Sequence, residues 1–89
     1  MEMYQHDSPA RFEFVLRGDL TGDPITDLEH AWNTAKSILG DRVLVVDISG
    51  VKTADAHAIA LLSRMRESGA HLTGALPPGS PAAALRVNR

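Results

Sequence analysis

The stretch VLVVDISGVKTADAHAIALL, Val43 to Leu62, decides the fold. It begins with four consecutive apolar residues, Val43 to Val46, followed by Asp47 and Ile48. A run without alternation has no polar face to give to water. Arg42 to Ile48 therefore reads as a central strand of a parallel or mixed sheet, covered on both faces. Asp47 is expected at its carboxyl end, and Ser49 to Ala54 reads as a connecting turn. Asp55 then stands where a helix N-cap belongs. Behind it, Ala58, Leu61, Leu62 and Met65, widened by Ile59, form one apolar stripe. The helix is expected over 56–68 with Gly69 as its C-cap. Any chemistry is expected at 49–58, where strand hands over to helix.

Upstream, Arg11 to Arg17 alternates, with Phe12, Phe14 and Leu16 on one face and Glu13, Val15 and Arg17 on the other. That is the pattern of a half-buried strand. Met1 to Asp7 is either a frayed end or an edge strand completing an antiparallel hairpin through the turn Ser8-Pro9-Ala10. After the break Gly18 to Gly22, Asp23-Pro24 opens a helix, with Asp23 accepting from first-turn amides and Pro24 at a position that needs no N–H. Ile25, Leu28, Trp32, Ala35 and Leu39 mark its buried stripe, and Gly40 ends it. Trp32 reads as core. Downstream, His71 to Leu76 reads as a short strand stopped by Pro77-Pro78-Gly79, and Ser80-Pro81 as the cap of a last helix, Ala82 to Val87. The order is β-β-α-β-α-β with a terminal α. Strand–helix–strand units with short loops imply parallel pairing and right-handed crossovers.

With 89 residues, a single domain over 1–89 is expected, burying about 60–65% of its unfolded-chain surface. Hydrophobic residues are 44% and charged residues 22%, the composition of a globular chain. Net charge is −2 and there is no Lys/Arg run, which argues against nucleic acid as a partner. The absence of Cys removes disulfides, thiolate nucleophiles and Cys-based zinc sites. The start MEMYQHDSPAR has no basic segment followed by an apolar core, so no secretory leader is expected. The longest apolar run falls far short of the ~20 residues that cross a bilayer. A cytoplasmic protein without membrane insertion is expected.

Arg17-Gly18-Asp19-Leu20, then Val43-Leu44-Val45-Val46-Asp47-Ile48-Ser49-Gly50-Val51, then Thr53-Ala54-Asp55 before an apolar helix, and Gly69-Ala70-His71-Leu72, together resemble a STAS domain. This is the domain of bacterial anti-sigma-factor antagonists and of sulphate-transporter C-termini. The resemblance covers Arg11 to Leu76. It implies an α/β fold of STAS type, a small mixed β-sheet with helices packed on it, and a partner-binding surface. In such antagonists the helix opens with Asp-Ser-Ser-Gly or Asp-Thr-x-Gly, and the hydroxyl after Asp is phosphorylated. Here Asp55 matches the Asp, Ala56 stands at the modified position, His57 follows, and Ala58 replaces the Gly. The aspartate is kept and the switch hydroxyl is missing. A phosphate would add about −1.5 to −2 charge there, but Ala56 has no oxygen to carry it.

The expected function is that of a non-enzymatic protein-interaction module. Its contacts are expected at Asp47, Thr53, Asp55, Ala56, His57 and Ala58, and its partner, by resemblance, is an anti-sigma factor or another serine-kinase-like regulator. The alternative is the small STAS subunit of an ABC-type lipid transport system, regulating its ATPase. The partner is expected along the edge Ser49 to Leu62, and a small-molecule binder using the same edge comes third. Each site residue also has a plainer reading: Asp55 as a helix cap, Asp47 as a strand end, Thr53 as a turn residue, His57 as a solvated side chain. A pH switch at His57 is disfavoured, because a helix N-terminus opposes imidazolium. His6, His30 and His71 are scattered without metal-ligand spacing, so neither a metal nor a cofactor is expected. No G-x-S-x-G, G-x-G-x-x-G or G-K-[ST] occurs. An Asp47/Asp55 carboxylate pair would have little surrounding protein to enclose a substrate. Leu85 and Val87 would offer an apolar contact for a homodimer.

Overall fold

The structure, a computed structural model, describes residues 1–75. It is a small α/β arrangement of one four-stranded mixed sheet and two helices. The strands are β1 (Glu2–Asp7), β2 (Arg11–Leu20), β3 (Val43–Ala54) and β4 (His71–Thr73), in that spatial order. The helices are α1 (Asp23–Ile38) and α2 (Ala56–Glu67). Residues Glu2 to Asp7 thus form the edge strand, pairing antiparallel with β2 from Glu2↔Arg17 to Asp7↔Phe12. β2 with β3 and β3 with β4 are parallel. The expected last helix, Ala82 to Val87, the stop at Pro77-Pro78-Gly79, and the Leu85 and Val87 contact lie outside the described residues.

Both crossovers, β2-α1-β3 and β3-α2-β4, step across the sheet in the same direction. Crossovers of one hand taken in one direction place both helices on one face. The core follows from this. Phe12, Phe14, Leu16 and Leu20 of β2 meet Leu44, Val46 and Ile48 of β3, under Leu28, Trp32 and Ala35 of α1 and Ala58, Leu61, Leu62 and Met65 of α2. Trp32 lies in this core, at 5% exposure. The apolar stripes read from the sequence are therefore buried, with Ile25 and Leu39 at the margin.

Coverage of β3 on both faces does not hold among the described residues. Register puts Val43, Val45 and Asp47 on the face away from the helices, beside Arg11, Glu13 and Val15 of β2. Val43 is 43% exposed there, whereas Val45 is buried between Glu13 and His71 on the flanking strands. An apolar run reads alike whether helices or neighbouring strand side chains shelter its second face.

The larger correction concerns 49–54. These residues are strand, not turn: Gly50, Val51, Thr53 and Ala54 pair with Arg17, Gly18, Asp19 and Leu20. The register shifts twice, between Val15 and Arg17 and between Gly18 and Asp19, and each time β3 spends one residue more than β2. Each shift is a bulge, which adds a residue and re-aims the side chains that follow. The buried positions of β3 show the effect. Leu44, Val46 and Ile48 keep a period of two, and then Val51 and Ala54 each follow after three. Asp47 consequently lies within β3 rather than at its end. Gly50 serves the first bulge: a Cβ there would come within 2.8 Å of Arg17 Cγ and 2.9 Å of the Leu16 carbonyl oxygen.

Helix ends agree with the sequence except at the start of α1. There Gly22 is the N-cap and no side chain caps it, so Asp23 is the first helical residue rather than the cap. Gly40, just beyond α1, takes φ 60°, the left-handed conformation expected of it. Arg42 then ties three elements together. Its guanidinium donates to the Leu39 carbonyl at 3.0 Å, to the Ile38 carbonyl at 2.6 Å and to Asp7 at the end of β1. The last carbonyls of α1 are thereby satisfied by a cation. No helix among the described residues is long and apolar enough to cross a membrane.

Gly50→Ala tests the bulge. The new methyl would press on backbone as well as on the Arg17 stem, so a loss of about 1–3 kcal/mol is expected. Urea denaturation should show a lower midpoint at unchanged slope. A midpoint equal to that of the parent chain would mean that the strands separate at no cost.

Candidate functional site

The carboxyl ends of the parallel strands carry the candidate site, and its position follows from the bulges. With two residues more on β3 than on β2, Ala54 returns to the core opposite Leu20 while Asp55 is released at the rim. Asp55 takes extended backbone and its Oδ1 accepts from the Ala58 N–H at 2.9 Å. This is the side-chain cap read from the sequence. It leaves Ala56 and His57 exposed on the first turn of α2. Beside them, Gly22, Ile25 and Thr26 from the start of α1 join Asp55 and His57 around a shallow cleft of about 260 Å³. The cleft separates the first turns of the two helices.

Asp47 within β3 and Asp19 near the end of β2 are engaged locally. Asp47 Oδ1 accepts from Ser49 N–H at 2.9 Å and from Ser49 Oγ at 2.7 Å. It thus supports the chain at the first bulge in the manner of an Asx turn. Thr53 Oγ1 donates to Asp19 Oδ1 at 2.8 Å, linking β3 to β2 just past the second bulge. Each carboxylate therefore orients backbone or a neighbouring hydroxyl. Asp47 and Asp55 do not meet as a pair: each bonds within its own segment.

Of the six expected contact residues, Ala56, His57 and Thr53 are exposed, and Asp55 and Asp47 are partly so. Ala58 is a correction. It is fully buried, with its methyl in the core beneath α2. Ala58, the third residue of α2, lies on the same helix face as Leu61, Leu62 and Met65, so this position belongs to packing rather than to a surface. For the same reason Leu61 and Leu62 do not extend the rim. Sequence reasoning missed Asp19 and Ser49, the partners of Thr53 and Asp47. The Arg17-Gly18-Asp19 step and the alternation of Asp47 with Ser49 were visible, but only strand pairing joins them.

Among the described residues, no three His, Asp or Glu side chains gather as metal ligands would. A tyrosine with a raised pKa lies elsewhere, on the sheet face away from the helices. Tyr4 donates from its hydroxyl to Glu2 Oε2 at 2.9 Å. That hydrogen bond to a carboxylate, and the charge of Glu2, raise the Tyr4 pKa above the ordinary phenol value, against the pull of Arg17 over its ring. Compared with known proteins, the chain matches no family model and no curated relative.

Asp55→Ala removes the cap and should cost about 1 kcal/mol. In a domain of this size that lowers Tm by about 4–8 °C. Asp55→Ser keeps an acceptor at the same place and should recover most of the loss in a thermal melt. Equal melting of all three proteins would show that the hydrogen bond to Ala58 contributes nothing.

Proposed function

We propose that this chain is a non-enzymatic STAS-like interaction module that docks a protein partner on the rim formed by the first turn of α2. The observation that carries this reading is the exposure of Ala56 and His57 immediately after a buried strand end and a capped Asp55. The side chains available for contact stand on a turn held by Asp55, and the nearby carboxylates Asp47 and Asp19 are engaged by Ser49 and Thr53. A contact surface benefits from that hold, because a pre-ordered turn loses little entropy on binding. The partner, by the resemblance of 43–55 to antagonist sequences, is a serine-kinase-like anti-sigma factor.

The docking is constitutive in this reading. Ala56 has no hydroxyl. The two nearest hydroxyls on the strand, Ser49 and Thr53, each donate to a carboxylate. A phosphate on either oxygen would lose its bond and set a dianion against Asp47 or Asp19, a repulsive arrangement. Incubation with the kinase that modifies a hydroxyl-bearing relative, followed by mass spectrometry, should therefore leave the chain unmodified. A phosphate on Ser49, Thr53 or Ser63 would restore a switch and defeat this part of the proposal.

Docking itself is tested by calorimetric titration against an anti-sigma factor encoded beside this chain. Ala56→Glu places a charge on the exposed turn and should weaken binding by about tenfold or more, with Tm unchanged. His57→Ala should weaken it less. Undiminished affinity of a folded Ala56→Glu protein would remove the rim from the interface. Binding to an ABC ATPase in place of the anti-sigma factor would move the module to transport regulation.

A further inference from the structure

A second concavity lies at the opposite end of the sheet, where β3 and β4 begin and both helices end. It is a cleft of about 240 Å³ whose walls include Trp32, Leu39, Val43, Leu44 and Met65. The ionisable residues along it are Lys36 and Arg42, both cationic, and His71 at the start of β4, whose paired register with Val45 places its side chain on the other face of the sheet. Such a pair of cations is notable in a chain of net charge −2. The Lys36 ammonium stands 4.1 Å from the centre of the Trp32 ring, over the indole face. A cation held on an aromatic wall beside apolar side chains suits a ligand with one negative group and a compact apolar body.

The ends of two helices would ordinarily oppose an anion, because their last carbonyls carry negative partial charge. Here those carbonyls are occupied. Arg42 bonds the Ile38 and Leu39 oxygens, and Ser68, Gly69 and Ala70 donate their amides to Arg64, Arg66 and Met65. Asp7 offsets part of the Arg42 charge from the far side. Lys36 is then the cation that faces the cleft with its charge uncommitted to a carboxylate among the described bonds.

We infer that this cleft binds a small apolar monocarboxylate, with the carboxylate on Lys36 and the apolar body against Trp32 and Leu39. The volume sets the size, since drug-sized ligands need roughly 300–1,000 Å³. The inference is independent of docking at the α2 rim, which lies at the other end of the strands.

Trp32 is the chain's single Trp, so its fluorescence reports on the cleft directly. Titration of the whole protein with phenylacetate and with hexanoate should change that fluorescence saturably for at least one of them. The matching neutral amide should bind at least about tenfold more weakly, as should the acid to Lys36→Met, which keeps the apolar stem and removes the charge. Lys36→Arg should retain binding. Absence of a saturable change with both acids overturns the inference. So does equal binding by acid and amide, or undiminished binding to Lys36→Met.

Discussion

The pairing of β2 with β3 at unequal length is the constraint on which the rest of this structure depends. Between Val15 and Leu20 the two strands run side by side, yet β3 uses two residues more. An extra residue not taken up in a bulge would leave β3 out of phase, turning its apolar side chains toward water. Two bulges, each adding one residue, bring Val51 and then Ala54 back to the core face opposite Gly18 and Leu20. The strand therefore reaches the rim with its buried side still buried. Asp55 leaves it in extended backbone, ready to cap α2. Close approach at Gly50 and the short bonds of Asp47 to Ser49 and Thr53 to Asp19 are the local means by which the two shifts are held.

The helices answer to the same sheet. Because both crossovers step the same way, α1 and α2 share one face and interlock over β2 and β3. Their amino ends frame the rim and their carboxyl ends frame the cationic cleft. The two candidate surfaces are thus opposite ends of one layer. One presents a capped turn with exposed Ala56 and His57. The other presents Lys36 on Trp32, with carbonyls already satisfied. Glu29 and Arg64, 2.7 Å apart on the outer surface, join α1 to α2 between them. Such an exposed pair contributes little stability, about 0–1 kcal/mol, so the interlock rests on Leu28, Trp32, Leu61 and Met65.

Much of this was legible in the residues. Phe12, Phe14 and Leu16 alternate over a regular strand, and the stripes of both helices follow the helical repeat, so period alone located them. Asp55 was legible as a cap because capping is a local matter of one side chain and one turn. What escaped was non-local. Ser49 to Ala54 lost its alternation to the bulges, and a strand without alternation looks like a turn when Gly50 and Thr53 stand in it. Asp23 looked like a cap because carboxylates favour helix starts, but Gly22 takes that place with positive φ. Ala58 was placed on the surface by analogy with a glycine, although its own spacing to Leu61, Leu62 and Met65 marked it as core.

The edge strand β1 reads EMYQHD and begins and ends with a carboxylate. If two copies of the chain were to add β1 to β1 antiparallel about a common midpoint, Glu2 of each would face Asp7 of the other at both ends of the ribbon. Like charges directly opposite each other repel. On the far side of the sheet, β4 offers only three residues, too few to template an added strand. Both margins are thereby guarded against unlimited growth of the sheet, a hazard for any protein with free strand edges. Of these two carboxylates, Asp7 also fastens the end of β1 to its own chain through Arg42, while Glu2 accepts from Tyr4 within the same strand.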